Sequence, residues 1–91
     1  MNKTILLVED EAIIALVTIN NLTKNNFTVF HCSTGESAIE EIINNPDRID
    51  LILMDIDLGI GIDGTLAAQE ILKIKQLPIL FLSSHIEKRN H

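Results

Sequence analysis

Glu9 and Asp10 follow the solid apolar run Ile5-Leu6-Leu7-Val8, Asp55 follows Leu51-Ile52-Leu53-Met54, and Ser83 and Ser84 follow Ile79-Leu80-Phe81-Leu82. In an open sheet of parallel strands, ligands bind outside the carboxyl ends of the strands. These carboxylates and hydroxyls are therefore expected on one rim. Carboxylates a few ångströms apart repel and raise one another's pKa unless a cation neutralises them. Oxygen-only ligands suit a hard ion, and Mg²⁺ takes one or two carboxylates together with waters and a phosphate oxygen. A carboxylate can also attack phosphorus to give an aspartyl phosphate. In that chemistry a metal offsets phosphoryl charge, while a hydroxyl and a cationic side chain take the remaining oxygens. The strand ends supply carboxylates and hydroxyls; the cationic side chain is the missing piece.

The elements that must position these residues alternate along the chain. Apolar runs with no polar interruption read as strands buried on both faces, the habit of parallel sheets covered by helices. Phe27-Thr28-Val29-Phe30 reads as a further strand, second in chain order. Ile13, Leu16, Val17 and Ile19 have the spacing of a buried helical face that ends near Asn25-Asn26, a polar and fraying terminus. Ser33 with Glu36 predicts a capping box, after which Ala38, Ile39, Ile42 and Ile43 line a second helix stopped by Asn44-Asn45-Pro46. Leu66, Ala67, Ile71 and Ile74 mark a third helix, opened after Asp63-Gly64 and closed before Pro78. Glu87-Lys88-Arg89-Asn90-His91 is consistent with the first turn of a fourth. The order βαβαβαβ implies an α/β fold with a doubly wound parallel sheet, right-handed crossovers and helices on both faces.

Composition narrows the function classes. Hydrophobic residues make up 46% and charged residues 22% of the 91 residues, enough for a packed core. Lys and Arg total 7 against 13 Asp and Glu, a net charge of -6. That balance repels phosphate backbones and anionic lipid, and the 3 Phe with no Trp or Tyr offer no base-stacking platform. Neither nucleic acid nor membrane is expected as a partner, since no apolar run approaches the ~18 residues of a span. The single Cys32 builds no disulfide framework or Cys-rich zinc site, and Met1-Asn2-Lys3-Thr4 leads into the first strand without a signal-peptide pattern. A cytoplasmic location and one domain over residues 1–91 are the expectations.

The segments Ile5 to Glu11, Leu51 to Leu58 and Leu77 to Ser84, taken in order, resemble the receiver domain of bacterial two-component response regulators. The resemblance implies a flavodoxin-like sheet of strand order 2-1-3-4. It implies that Asp55 takes a phosphoryl group from a phosphohistidine of a sensor histidine kinase or phosphotransfer protein. Asp10 would ligate Mg²⁺ directly and Glu9 through a bound water, alongside Asp55 and the main-chain carbonyl of Asp57. Ser83 would be the switch hydroxyl, with Ser84 in the small-residue position beside it. The chain would then be a switch and not an enzyme, alone, joined to an output domain, or part of a hybrid histidine kinase.

Two departures stand out. Gly59-Ile60-Gly61-Ile62 is longer than the commonest form of that loop. The family also continues through a fourth helix, a fifth strand ending in a lysine, and a fifth helix, all beyond the last residue here. Lys88 and Arg89 do not replace that lysine by position. An uncovered fourth strand would favour self-association or a homodimer. A degenerate receiver serving only protein contact is the alternative reading. Gly59 to Gly64 also fits G-x-G-x-x-G, but Asp55, Asp57 and Asp63 would surround a pyrophosphate with negative charge. A dehalogenase-type phosphatase places its acid pair after the nucleophile, whereas here it comes first. A calcium loop beginning at Asp55 fails because Ile60 and Leu66 stand where glycine and glutamate are required. His31, His85 and His91 have no metal-binding spacing and are expected at the surface.

Overall fold

The computed structural model of the chain describes residues 2–82. Four strands and three helices alternate: β1 (Thr4–Val8), α1 (Ala12–Lys24), β2 (Thr28–Cys32), α2 (Gly35–Asn44), β3 (Leu51–Asp55), α3 (Gly64–Ile74) and β4 (Ile79–Leu82). All pairings are parallel, in the order β2-β1-β3-β4 that the resemblance implies. The segment 83–91, with its expected switch serine and helical turn, lies outside the described residues.

The period of two along the central strands divides the core between the two faces of the sheet. Leu6, Val8, Ile52 and Met54 point toward α2 and α3, where Ala38, Ile42, Ala67 and Ile71 complete one cluster. Ile5, Leu7 and Leu53 point the other way, toward Ala15 of α1, with Ile19, Leu22 and Phe27 packed around them. Helices on both faces account for the unbroken apolar character of β1 and β3.

Of the face expected of it, α1 packs only Ile19 against the sheet. Ile13, Leu16 and Val17 are 79%, 68% and 55% exposed, and its contact with the sheet runs through Ala15, Ile19 and Leu22. The helix carries two apolar stripes at helical spacing. Periodicity registers both and cannot say which one meets the sheet. Among the described residues the second stripe stays open, as do Leu80 and Phe81 of β4, at 56% and 46% exposed. Ile43 on α2 and Leu66 and Ile74 on α3 likewise flank their buried faces and remain exposed.

Two termini also differ from expectation. The cap of α2 is Thr34, whose hydroxyl accepts from the Ser37 N–H at 3.1 Å; Ser33 and Glu36 do not form a box. Thr34 takes the extended backbone a cap requires, and Glu36 is drawn elsewhere. The end of α1 is ordered and not frayed: Asn26 adopts φ 69, Asn26 N–H donates to Thr23 at 3.1 Å, and Phe27 N–H donates to Leu22 at 3.1 Å. This is a Schellman closure with asparagine in the left-handed position. It spends Phe27 on ending the helix, so β2 starts one residue later than expected and runs on to Cys32.

Ile42 is fully buried and Ile13 almost fully exposed. Ile42→Ala should lower the unfolding free energy by about 2–5 kcal/mol. Ile13→Ala should stay within about 0.5 kcal/mol in the same urea titration, despite the identical chemical change.

Candidate functional site

Val8 pairs with Met54, so the acids that follow β1 leave the sheet level with Asp55 at the end of β3. One carboxylate oxygen from each of Glu9, Asp10 and Asp55 lies within 4.8 Å of the others. Glu9 and Asp55 are 1% and 0% exposed, whereas Asp10 faces solvent. The structure thus brings together the three acids that the sequence placed on one rim.

Buried carboxylates require donors, and the backbone supplies them by turning tightly after each strand. Glu11 N–H donates to Glu9 Oε2 at 3.0 Å, and Asp57 N–H donates to Asp55 Oδ1 at 3.0 Å. Gly59 N–H reaches back to Asp10 Oδ2 at 2.9 Å. All three carboxylates are therefore oriented by the main chain. Asp57 is exposed and its carboxylate does not join the cluster; only its main-chain carbonyl was expected to act there.

Three further residues shape the rim. His31 is exposed, as expected, but its Nε2 lies 2.9 Å from the carbonyl oxygen of Glu9. A carbonyl only accepts, so this ring nitrogen carries the proton. Glu9 N–H donates in turn to Cys32 at 3.0 Å, so Glu9 is held to the end of β2 on both sides. Glu36, at the start of α2, accepts the Ile62 N–H at 3.0 Å. Gly64 opens α3 so close to β3 that a Cβ would collide with the Asp55 carbonyl. No sequence signal marks His31, Glu36 read as a capping residue, and Gly64 entered only as part of a family-like Asp-Gly pair.

The nearby thiol takes no part. Burial, reinforced by the Glu41 carboxylate, pushes Cys32 up to about 12, so it stays a neutral thiol at physiological pH.

The donor set fits a hard divalent cation. It consists of carboxylate oxygens alone, two of the residues buried and Asp10 open to solvent. The glycine-rich loop does not fit a dinucleotide, because the N–H groups of Gly59 and Ile62 are given to the chain's own carboxylates.

The family model for the response regulator receiver domain matches residues 5–91. The chain belongs to that family. It is similar to the alkaline phosphatase synthesis transcriptional regulatory protein PhoP of Bacillus subtilis, with 33% identity over 97% of this chain and 36% of that protein. It is also similar to hybrid signal transduction histidine kinase M of Dictyostelium discoideum, with 36% identity over 88% of this chain and 4% of that protein. Among solved structures, it resembles the N-terminal domain of a response regulator/sensory box/GGDEF 3-domain protein from Carboxydothermus hydrogenoformans. That match has TM-score 0.87 and 44% identity, covering 92% of this chain and 66% of the other. The chain spans about a third or less of the full-length relatives named here.

Replacing glycine by alanine at a helix start ordinarily favours the helix. Here the contact with the Asp55 backbone reverses the sign. Gly64→Ala should destabilise the fold by about 1–3 kcal/mol in urea unfolding.

Proposed function

We propose that this receiver domain is a phosphoacceptor switch within a phosphorelay. The observation that carries the reading is the convergence of Glu9, Asp10 and Asp55, two of them buried, at the carboxyl ends of adjacent strands. An oxygen of the Asp55 carboxylate attacks the phosphorus of a phosphohistidine on a sensor histidine kinase or phosphotransfer protein. The P–N bond breaks, its electron pair leaves with the imidazole, and an aspartyl phosphate remains. Asp57 N–H holds the Asp55 carboxylate in place for that step. Asp10, Glu9, Asp55 and the main-chain carbonyl of Asp57 are the groups that would hold Mg²⁺. When bound, the ion supplies positive charge against the carboxylates and the phosphoryl oxygens. Ser83 bonds a phosphoryl oxygen and carries the change outward, shifting a conformational equilibrium that a partner reads.

On this reading residues 1–91 act as one signalling unit in the cytoplasm, and the chain turns over no external substrate. Among the described residues no helix is long and apolar enough to cross a membrane. The similarity to a transcriptional regulator and to a hybrid kinase is compatible with either an output domain or a kinase in the whole protein.

Intact mass spectrometry with acetyl phosphate and Mg²⁺ tests the acceptor. One phosphoryl addition is expected, absent without Mg²⁺ and absent in Asp55→Asn. No addition in a longer chain that includes the family's lysine would overturn the reading in favour of a receiver used only for protein contact.

Among the described residues β4 pairs only with β3, and its Leu80 and Phe81 are about half exposed. We further propose that the 91-residue chain on its own associates through this edge. Light scattering should give a mass that rises with concentration; a constant monomer mass would overturn it.

A further inference from the structure

We propose that Glu36 is a positioning residue for Mg²⁺ at the rim, acting through the loop 59–62 on Asp10. The proposal rests on the reading of the rim as a metal site. The loop is fastened at both ends by carboxylates from separate elements. Gly59 N–H donates to Asp10 Oδ2 at 2.9 Å, and Ile62 N–H donates to Glu36 Oε2 at 3.0 Å. Between them Ile60 is 80% exposed, so side-chain packing does not hold the tip.

The fit is tight at both fastenings. A Cβ on Gly59 would lie 2.8 Å from Asp10 Oδ2. Gly61 has φ +81, and a Cβ there would fall on the Glu36 carboxylate. The bare Cα of Gly61 leaves the Glu36 carboxylate room to lie against the turn. Through that turn, Glu36 fixes where Gly59 presents its N–H, and Gly59 in turn fixes the carboxylate of Asp10.

A hydrogen bond to a ligating carboxylate sets its orientation, and losing such a partner typically weakens metal binding about 10–100-fold. Glu36 acts one bond further out, so a smaller effect is expected, about 3–10-fold. A competing explanation for the loop's shape is the Ile62 side chain, which packs against the core below α2 and α3. Another is that Glu36 acts only as a charge in the first turn of α2.

Amide hydrogen exchange and Mg²⁺ titration followed by NMR separate these. In metal-free Glu36→Ala, exchange at Gly59 should rise about tenfold although its own acceptor, Asp10, is untouched. The Mg²⁺ Kd should increase about 3–10-fold. Glu36→Gln keeps the acceptor oxygen and removes the charge, and should match the unaltered protein within about twofold in both readouts. Glu36→Asp, which keeps the charge but withdraws the acceptor by shortening the side chain, should reproduce the Glu36→Ala changes and serves if Glu36→Ala folds poorly. Unchanged exchange and Kd in Glu36→Ala would overturn the proposal in favour of Ile62 packing. Equal behaviour of Gln and Ala would overturn it in favour of charge. If the unaltered protein itself shows no Mg²⁺-dependent shifts, the metal reading fails and this proposal with it, whatever the exchange at Gly59.

Discussion

Like charges held close together in nearly dry surroundings repel, and the rim of this domain is arranged around that constraint. Glu9 and Asp55 are almost wholly removed from water and lie within 4.8 Å of each other and of Asp10. Such burial is tolerated only where donors replace the lost water. The chain meets the requirement by turning immediately after each strand, so that an N–H two residues on returns to the carboxylate. The same local geometry that stabilises the acids therefore ends the strands and sets the departure of the loops.

Holding two such turns side by side requires rigid strands beneath them. β1 and β3 are the central pair, and small residues let the helices approach closely. Ala38 and Ala67 are fully buried against one face and Ala15 nearly so against the other. Gly35 is pressed against Ile62 and Ala67 so closely that a Cβ there would lie 2.8 and 2.9 Å from their atoms. Lys75 closes the far end of the same layer by donating to the carbonyls of Pro46 and Ile49. The helices thus lock the strands from one end while the acids occupy the other.

The sequence carried the sheet and the acids because both are written in unambiguous patterns. Solid apolar runs, two of them followed at once by an acid, admit few interpretations, whereas the strand order rests on the family resemblance. The buried face of α1 was not legible, since Ala15 adds little to an apolar stripe while Ile13, Leu16 and Val17 dominate one. Burial there is decided by how near the helix lies to the sheet, which a small residue permits and a hydropathy pattern undervalues. Glu36 was misread for a different reason. A capping glutamate and one that reaches across to another loop have the same local sequence, and only the tertiary position of Ile62 separates them. His31 was illegible altogether, because its partner is a main-chain carbonyl on a neighbouring strand end.

The loop after β3 shows why side-chain pattern and length should be weighed separately. Residues 56–63 lie between β3 and α3, and length alone would suggest looseness there. Loop closure, however, costs only about 0.6 kcal/mol for each doubling of length. What keeps such a loop in one shape is where its N–H groups end. Here Gly59 and Ile62 meet carboxylates of two different elements, Gly61 supplies the left-handed turn between them, and Asp63 caps α3 by accepting from Leu66 at 2.8 Å. A loop anchored at those points holds Gly59 at the rim despite its length. Its fidelity depends on the two carboxylates and on the absence of side chains at Gly59 and Gly61, where any Cβ would displace the group that anchors it.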